Sequence, residues 1–195
     1  IGAVDQEMKR LIGHSRGLPR VCLDRESLEE SDVRPKADAV RNLNLAINDY
    51  IGRLRAEKMH PSVVDALTLS IRTCRYLAEA TELTLHLVRL RALARRTDFE
   101  TLEPVFNRYF EVIRVLVASE APAPEQFQEA ETVYHQLKAA TLQKMIRREF
   151  SSSLGDQVLD ELSAVRRLTD QWSKALYWQD GVGLLNHSHD QASVS

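Results

Sequence analysis

Glu82 and His86 lie one helical turn apart, and so do Glu131 and His135. Each pair offers a carboxylate and an imidazole from one helix face. Two such helices side by side would bring four ligands to a divalent metal. The ordinary alternative is an exposed i,i+4 pair on a wet stripe, and Arg75 and Glu79 beside the first pair favour a solvated charge ladder. Glu57-Lys58-Met59-His60 has the Glu-x-x-His spacing of di-iron bundles. Those sites need two such motifs and two further glutamates, all facing inward, and here a single copy stands at a helix end against Pro61. His187-Ser188-His189 falls in a polar C-terminal stretch that reads as a disordered tail. No metal-ligand set is complete, and the sequence implies no cofactor.

Nucleophilic catalysis finds no better footing. No serine sits in a glycine-flanked strand-turn-helix setting, and no glycine-rich loop could cradle a phosphate. The chain does not read as an enzyme. Cys74 falls on an apolar helical seam, where a small buried thiol is ordinary core; Cys22 falls in a loop, where exposure is expected. Trp172 reads as core, and Trp178, beside Tyr177, as half-exposed. Arg89, Arg91, Arg95 and Arg96 cluster at a helix end, a place for solvated cations or for contact with anionic lipid head groups.

The elements that would position these residues are helical. Of 195 residues, 44% are hydrophobic and 28% charged, with seven glycines and six prolines, which leaves little room for hairpins. The net charge of -2 does not mark a nucleic-acid binder. Two cysteines without a C-x-x-C pattern fit a reducing compartment. No apolar run approaches the roughly 18 residues a membrane span needs. The chain starts Ile-Gly-Ala-Val, without a methionine or a secretory pattern, which reads as a domain cut from a larger protein.

Val4 to Ile12 reads as a short helix, and Gly13 to Asp32 as a loop broken by Gly13, Gly17 and Pro19. Pro35 suits a first helical turn, with Val40, Leu43, Ile47, Tyr50 and Leu54 recurring after it to about Lys58. Ser62 can start the next helix, to about Arg95, along a seam of Leu67, Ile71, Cys74, Ala78, Thr81, Leu85, Val88 and Ala92. Asp98 can cap a fourth helix, stopped by Ala121-Pro122-Ala123-Pro124. A fifth runs from about Glu125 to Phe150. Ser151-Ser152-Ser153 makes a turn and caps a sixth, about Leu154 to Trp178, with a tail from Gly181.

The seam of that sixth helix is Val158, Leu162, Val165, Thr169, Trp172 and Leu176. A shift of 91 residues brings the third helix's seam onto it, and carries Ser62 to Ser153, Asp65 to Asp156 and Arg75 to Arg166. The expected fold is all-α, with two three-helix repeats forming an elongated six-helix bundle. Residues 1–34 lead into it, 35–97 and 98–178 are the repeats, and 179–195 the tail.

Ala46-Ile47-Asn48-Asp49-Tyr50-Ile51-Gly52-Arg53-Leu54, followed after a polar turn by Thr73-Cys74-Arg75-Tyr76-Leu77, resembles the PhoU family. The form it resembles is the cytoplasmic C-terminal domain of bacterial sodium/phosphate cotransporters. Tyr134-His135-Gln136-Leu137-Lys138-Ala139-Ala140 is similar to that family's tyrosine-x-x-x-lysine segment. Leu162-Ser163-Ala164-Val165-Arg166-Arg167, with Gln171 and Lys174-Ala175, is similar to its closing helix. The resemblance spans about residues 37–178 and implies two three-helix repeats. Many members bind metal through a Glu-x-x-x-Asp pair after Tyr-Leu in each repeat. Here those positions are Ala78 and Glu82, then Thr169 and Ser173, or Arg166 and Asp170 in a register moved by three. No choice supplies two carboxylates, so the metal site is not carried over.

The resemblance implies a regulatory, non-catalytic domain of a sodium-dependent phosphate transporter, on the cytoplasmic side of the inner membrane. Its partners would be the transmembrane portion of the same polypeptide, a second copy or a signalling protein, and not nucleic acid. The alternatives are a free-standing cytosolic PhoU-type regulator of phosphate uptake, a metal-binding helical bundle, and a ligand-sensing domain of a transcription regulator.

Overall fold

A computed structural model describes residues 2–25, 27–54 and 59–192, with side chains described up to residue 180. The described residues form helices and turns, without strands: α1 (Gly2–Asp24), α2 (Glu30–Gly52), α3 (Pro61–Ala94), a short 3-10 helix (Thr97–Leu102), α4 (Glu103–Ala118), α5 (Pro124–Ile146) and α6 (Ser152–Ala192). The chain is an all-helical bundle.

α1 differs most from the sequence reading. It continues through Gly13, Gly17 and Pro19 to Asp24. Val4, Met8, Leu11, Ser15, Leu18 and Cys22 form one buried stripe at helical spacing. Burial of that stripe outweighs the roughly 1 kcal/mol each glycine costs, and a Cβ at Gly13 or Gly17 would meet open space. Cys22 is therefore core, not an exposed loop residue. α2 starts five residues before Pro35, because Asp32 Oδ2 accepts from the Glu29 backbone N–H at 3.0 Å and satisfies an otherwise orphaned donor.

The other boundaries move by shorter steps. His60, not Ser62, caps α3, its ring accepting from the Ser62 backbone N–H at 3.4 Å, and Pro61 takes the first helical position. Asp98 binds the Arg96 guanidinium at 3.0 Å, and α4 begins only after the 3-10 helix, at Glu103. α5 stops at Ile146, since Arg148 takes a left-handed φ of 58°. The serine turn does cap α6, through Leu154 N–H to Ser151 Oγ at 3.2 Å. Beyond Trp178 the helix runs on to Ala192 where a tail was expected. Up to Trp178, α6 pairs antiparallel with the long α3: Arg167 donates to Glu79, and the Arg72 guanidinium lies 4.6 Å from the centre of the Trp178 ring.

α3 and α6 make the broadest helix–helix contact. α1 and α2 pack on α3, α4 packs on α5, α5 on α6, and α1 meets α4. One continuous apolar core joins all six helices, from Leu11, Leu77 and Leu90 to Phe99, Ile113, Leu137 and Trp172. The buried surface of α3 is broader than the expected seam, of which Leu67, Cys74, Thr81, Leu85 and Val88 are buried. Leu77, Leu87 and Leu90 are sealed, while Ile71, 44% exposed, and Ala92 face outward. A helix packed by neighbours on several sides buries more than one heptad stripe. Its buried Ser70, Thr73, Thr81 and Thr84 each donate to the carbonyl four residues back, so their hydroxyls enter the core satisfied.

Candidate functional site

The wet stripe of α3 becomes an interhelical polar ladder in its second half. Arg89 donates to Glu30 of α2 through Nε (2.6 Å) and Nη2 (2.9 Å), and Glu82 meets Arg41 of α2 at 3.4 Å. His86 Nδ1 lies 2.8 Å from Oε2 of Glu161 on α6, and Glu79 accepts from Arg167 at 2.6 Å. The Arg89 hydrogen bonds hold the Glu30 carboxyl below the usual carboxylate range, slight burial opposing them. Glu82 and His86 thus serve partners on opposite sides of α3 and do not converge.

The second candidate pair does stay together. Glu131 Oε1 lies 3.0 Å from His135 Nε2, and Arg166 of α6 donates to both carboxylate oxygens at 2.9 and 2.7 Å. The Arg166 guanidinium also lies 5.4 Å from the centre of the Tyr134 ring. Hydrogen bonding from Arg166, with a smaller contribution from His135, holds the Glu131 carboxyl below its ordinary value. The Arg166 guanidinium and the His135 ring share this carboxylate, which ties α5 to α6. Among the described residues no three His, Cys, Asp or Glu side chains gather as a metal site. Glu57 lies outside the described residues, as do the side chains of His187 and His189.

The four arginines at the end of α3 separate. Arg89 is taken by Glu30, which corrects its place in a free cluster. Arg91 Nη1 donates to the Cys22 carbonyl and, at 2.8 Å, to that of Arg25, closing the C-terminus of α1. Burial, then the charges of Arg95 and Arg114, push the Arg91 guanidinium below its usual value. Arg96 pairs with Asp98, and Arg95 is exposed. Arg91, Arg95 and Arg96 line an open cavity of about 750 Å³ with Phe106, Asn107 and Phe110 of α4.

At the other end of α1, Ala3, Val4 and Glu7 form a groove of about 230 Å³ with Leu43, Ala46, Ile47 and Tyr50 of α2. Leu45 and Tyr50 stand exposed on the same helix. Sequence reasoning missed Glu30, Arg41 and Glu161 as partners. Glu161 alone left a signal: it falls between Val158 and Leu162 on the buried stripe of α6 and is only 9% exposed.

Comparison with known protein families, characterised proteins and solved structures returns no match. What the site can do rests on its own geometry. Glu82, His86, Glu131 and His135 are tied into bonds between or along helices, and no helix among the described residues is long and apolar enough to cross a membrane. What the surface offers is an apolar groove and an arginine-lined cavity.

Proposed function

We propose that this chain is a non-catalytic docking module of PhoU type, built as two three-helix repeats, α1–α3 and α4–α6, the first widened from residues 35–97 to take in α1. In this reading it regulates a sodium-dependent phosphate transporter from the cytoplasmic side of the membrane. One observation carries the repeat. Shifted by 91 residues, Leu67, Ser70, Cys74, Leu77, Ala80, Thr81, Thr84 and Leu85 fall on Val158, Glu161, Val165, Leu168, Gln171, Trp172, Ala175 and Leu176, and every one of these is buried. The match has gaps, since Leu83 falls on exposed Lys174 and exposed Ile71 on Leu162. Two halves related by a two-fold axis perpendicular to their helices also pair equivalent helices antiparallel, and α3 and α6 run antiparallel.

The groove between α1 and α2 is the docking surface in this proposal, and the transporter portion of the same polypeptide its occupant. Ala46, Ile47 and Tyr50 line it and belong to the segment that carries the PhoU resemblance. A contact whose strength differs between two transporter states shifts their populations by that difference. The test is sodium-driven phosphate uptake by the full-length polypeptide in proteoliposomes. Deleting residues 1–195 is expected to change the rate, and Tyr50→Asp to change it in the same direction. Unchanged uptake in both would sink the regulatory reading. A full-length polypeptide without apolar segments of about 20 residues would leave the free-standing regulator in its place.

A further inference from the structure

Where α3 gives way to α4, Arg91, Arg95 and Arg96 line one concave surface whose wall is Phe106, Asn107 and Phe110. Arg91 spends Nη1 on the end of α1, and Arg96 is held by Asp98. Arg95, one turn beyond Arg91, makes no ion pair or hydrogen bond among the described residues. A guanidinium in this position can offer two parallel donors to a phosphate or carboxylate. We propose that this cavity binds a small organic phosphate ester, with Arg95 as the principal contact and Arg91 as the second.

The size and the rim narrow the ligand. About 750 Å³ is far more than a bare inorganic ion fills and lies in the range of small-molecule sites. The Arg91 guanidinium lies 5.9 Å from the centre of the Phe110 ring, so charge and apolar wall adjoin. Glu100 and Glu103 also line the cavity. Three guanidiniums against two carboxylates leave one net positive charge on the lining, which suits a single phosphate and would leave most of the charge of a polyphosphate or a nucleic-acid backbone unneutralised.

The phosphate could arrive on a soluble metabolite or on a lipid head group, and two arms separate these sources. In the first, phenyl phosphate is titrated by calorimetry at low ionic strength, beside inorganic phosphate. Saturable binding is expected, tighter than that of inorganic phosphate, and Arg95→Gln is expected to weaken it about tenfold or more, as loss of a charge-assisted hydrogen bond does. Arg34→Gln, on the far pair with Glu30, should leave it unchanged. In the second arm, co-sedimentation with phosphatidylglycerol vesicles that falls on Arg95→Gln would assign the phosphate to lipid. Because Arg95 is exposed, an unchanged thermal midpoint is expected to show that the variant folds. If neither probe responds to Arg95→Gln, or inorganic phosphate binds as tightly as phenyl phosphate, the proposal is overturned.

Discussion

Arg89 on α3 grips the Glu30 carboxylate at the start of α2 with both arms of its guanidinium, Nε to Oε1 at 2.6 Å and Nη2 to Oε2 at 2.9 Å. The pair ties the first turn of α2 to the last third of α3, and on the other half of the molecule Arg166 reaches both oxygens of Glu131 from Nε alone, at 2.9 and 2.7 Å. Both pairs are partly exposed, so each is expected to contribute about 0.5–1 kcal/mol. A double-mutant cycle with Arg89→Ala and Glu30→Ala, read by urea unfolding, measures the first. A coupling indistinguishable from zero would reduce it to a surface contact without energetic weight.

The same pairs set a sign for the pH dependence. Glu30 and Glu131 titrate below their ordinary value when folded. Their contribution is therefore complete above the unfolded carboxylate range and fades as pH falls through the folded values. Wild-type stability should drop from about pH 5 downward. The Arg89→Gln/Arg166→Gln variant should start lower and lose less over that interval, since both carboxylates return toward their unfolded behaviour. Parallel curves for the two proteins would contradict this account.

How much of this was legible in the sequence follows from what periodicity can carry. The all-helical class, the serine cap of α6 and the burial of Cys74 and Trp172 came from spacing and turn chemistry alone. α1 did not, because Gly13, Gly17 and Pro19 are local signals for a break, and the stripe that overrules them contains Ser15, which no hydrophobicity count credits. The candidate site failed differently. Glu82 with His86, and Glu131 with His135, are real neighbours in sequence, but their fate was set by Arg41, Arg166 and Glu161 on other helices. No spacing within one helix encodes such a partner. The cavity of Arg91 and Arg95 likewise needs α4 as its second wall, 11 residues beyond Arg95 at Phe106.

Arg148 closes α5 with φ at 58°, and the Glu149 backbone N–H returns to the Lys144 carbonyl at 2.9 Å. A left-handed residue with a Cβ carries strain of about 1–2 kcal/mol that glycine lacks, partly offset by the entropy glycine loses on folding. Arg148→Gly is expected to stabilise by about 0.5–1 kcal/mol. For a chain of this length the thermal midpoint should rise by roughly 1–4 °C. A fall would mean that the arginine side chain holds this turn through contacts stronger than the strain.

Both thiols are buried, and desolvation pushes each up to about 12, with Arg91 and Lys36 opposing it only at Cys22. The thiolate is the reactive form, so a disulfide reagent should reach neither cysteine in the folded protein at pH 8. Two equivalents should react in denaturant. Rapid native labelling of one thiol would place Cys22 at a surface, as the sequence reading had it, and would count against α1 continuing to Asp24.

Gly155 and Met145 test how tightly α5 and α6 are joined. A Cβ on Gly155 would fall 2.2 Å from Met145 Sδ and 2.4 Å from its Cγ, so the Met145 side chain must move aside for any larger residue there. Gly155→Ala therefore sets two effects against each other. Alanine favours the helix by up to about 1 kcal/mol, while displacing a half-buried methionine costs about 1–3 kcal/mol. The clash is expected to win, and the variant to be destabilised. In a Met145→Ala background the obstacle is gone, and the same substitution should become stabilising by its helix propensity. That reversal of sign, read from two pairs of unfolding curves, is a coupling that only residues in contact produce. Equal effects in the two backgrounds would separate Gly155 from Met145 and break the packing described here between the end of α5 and the start of α6.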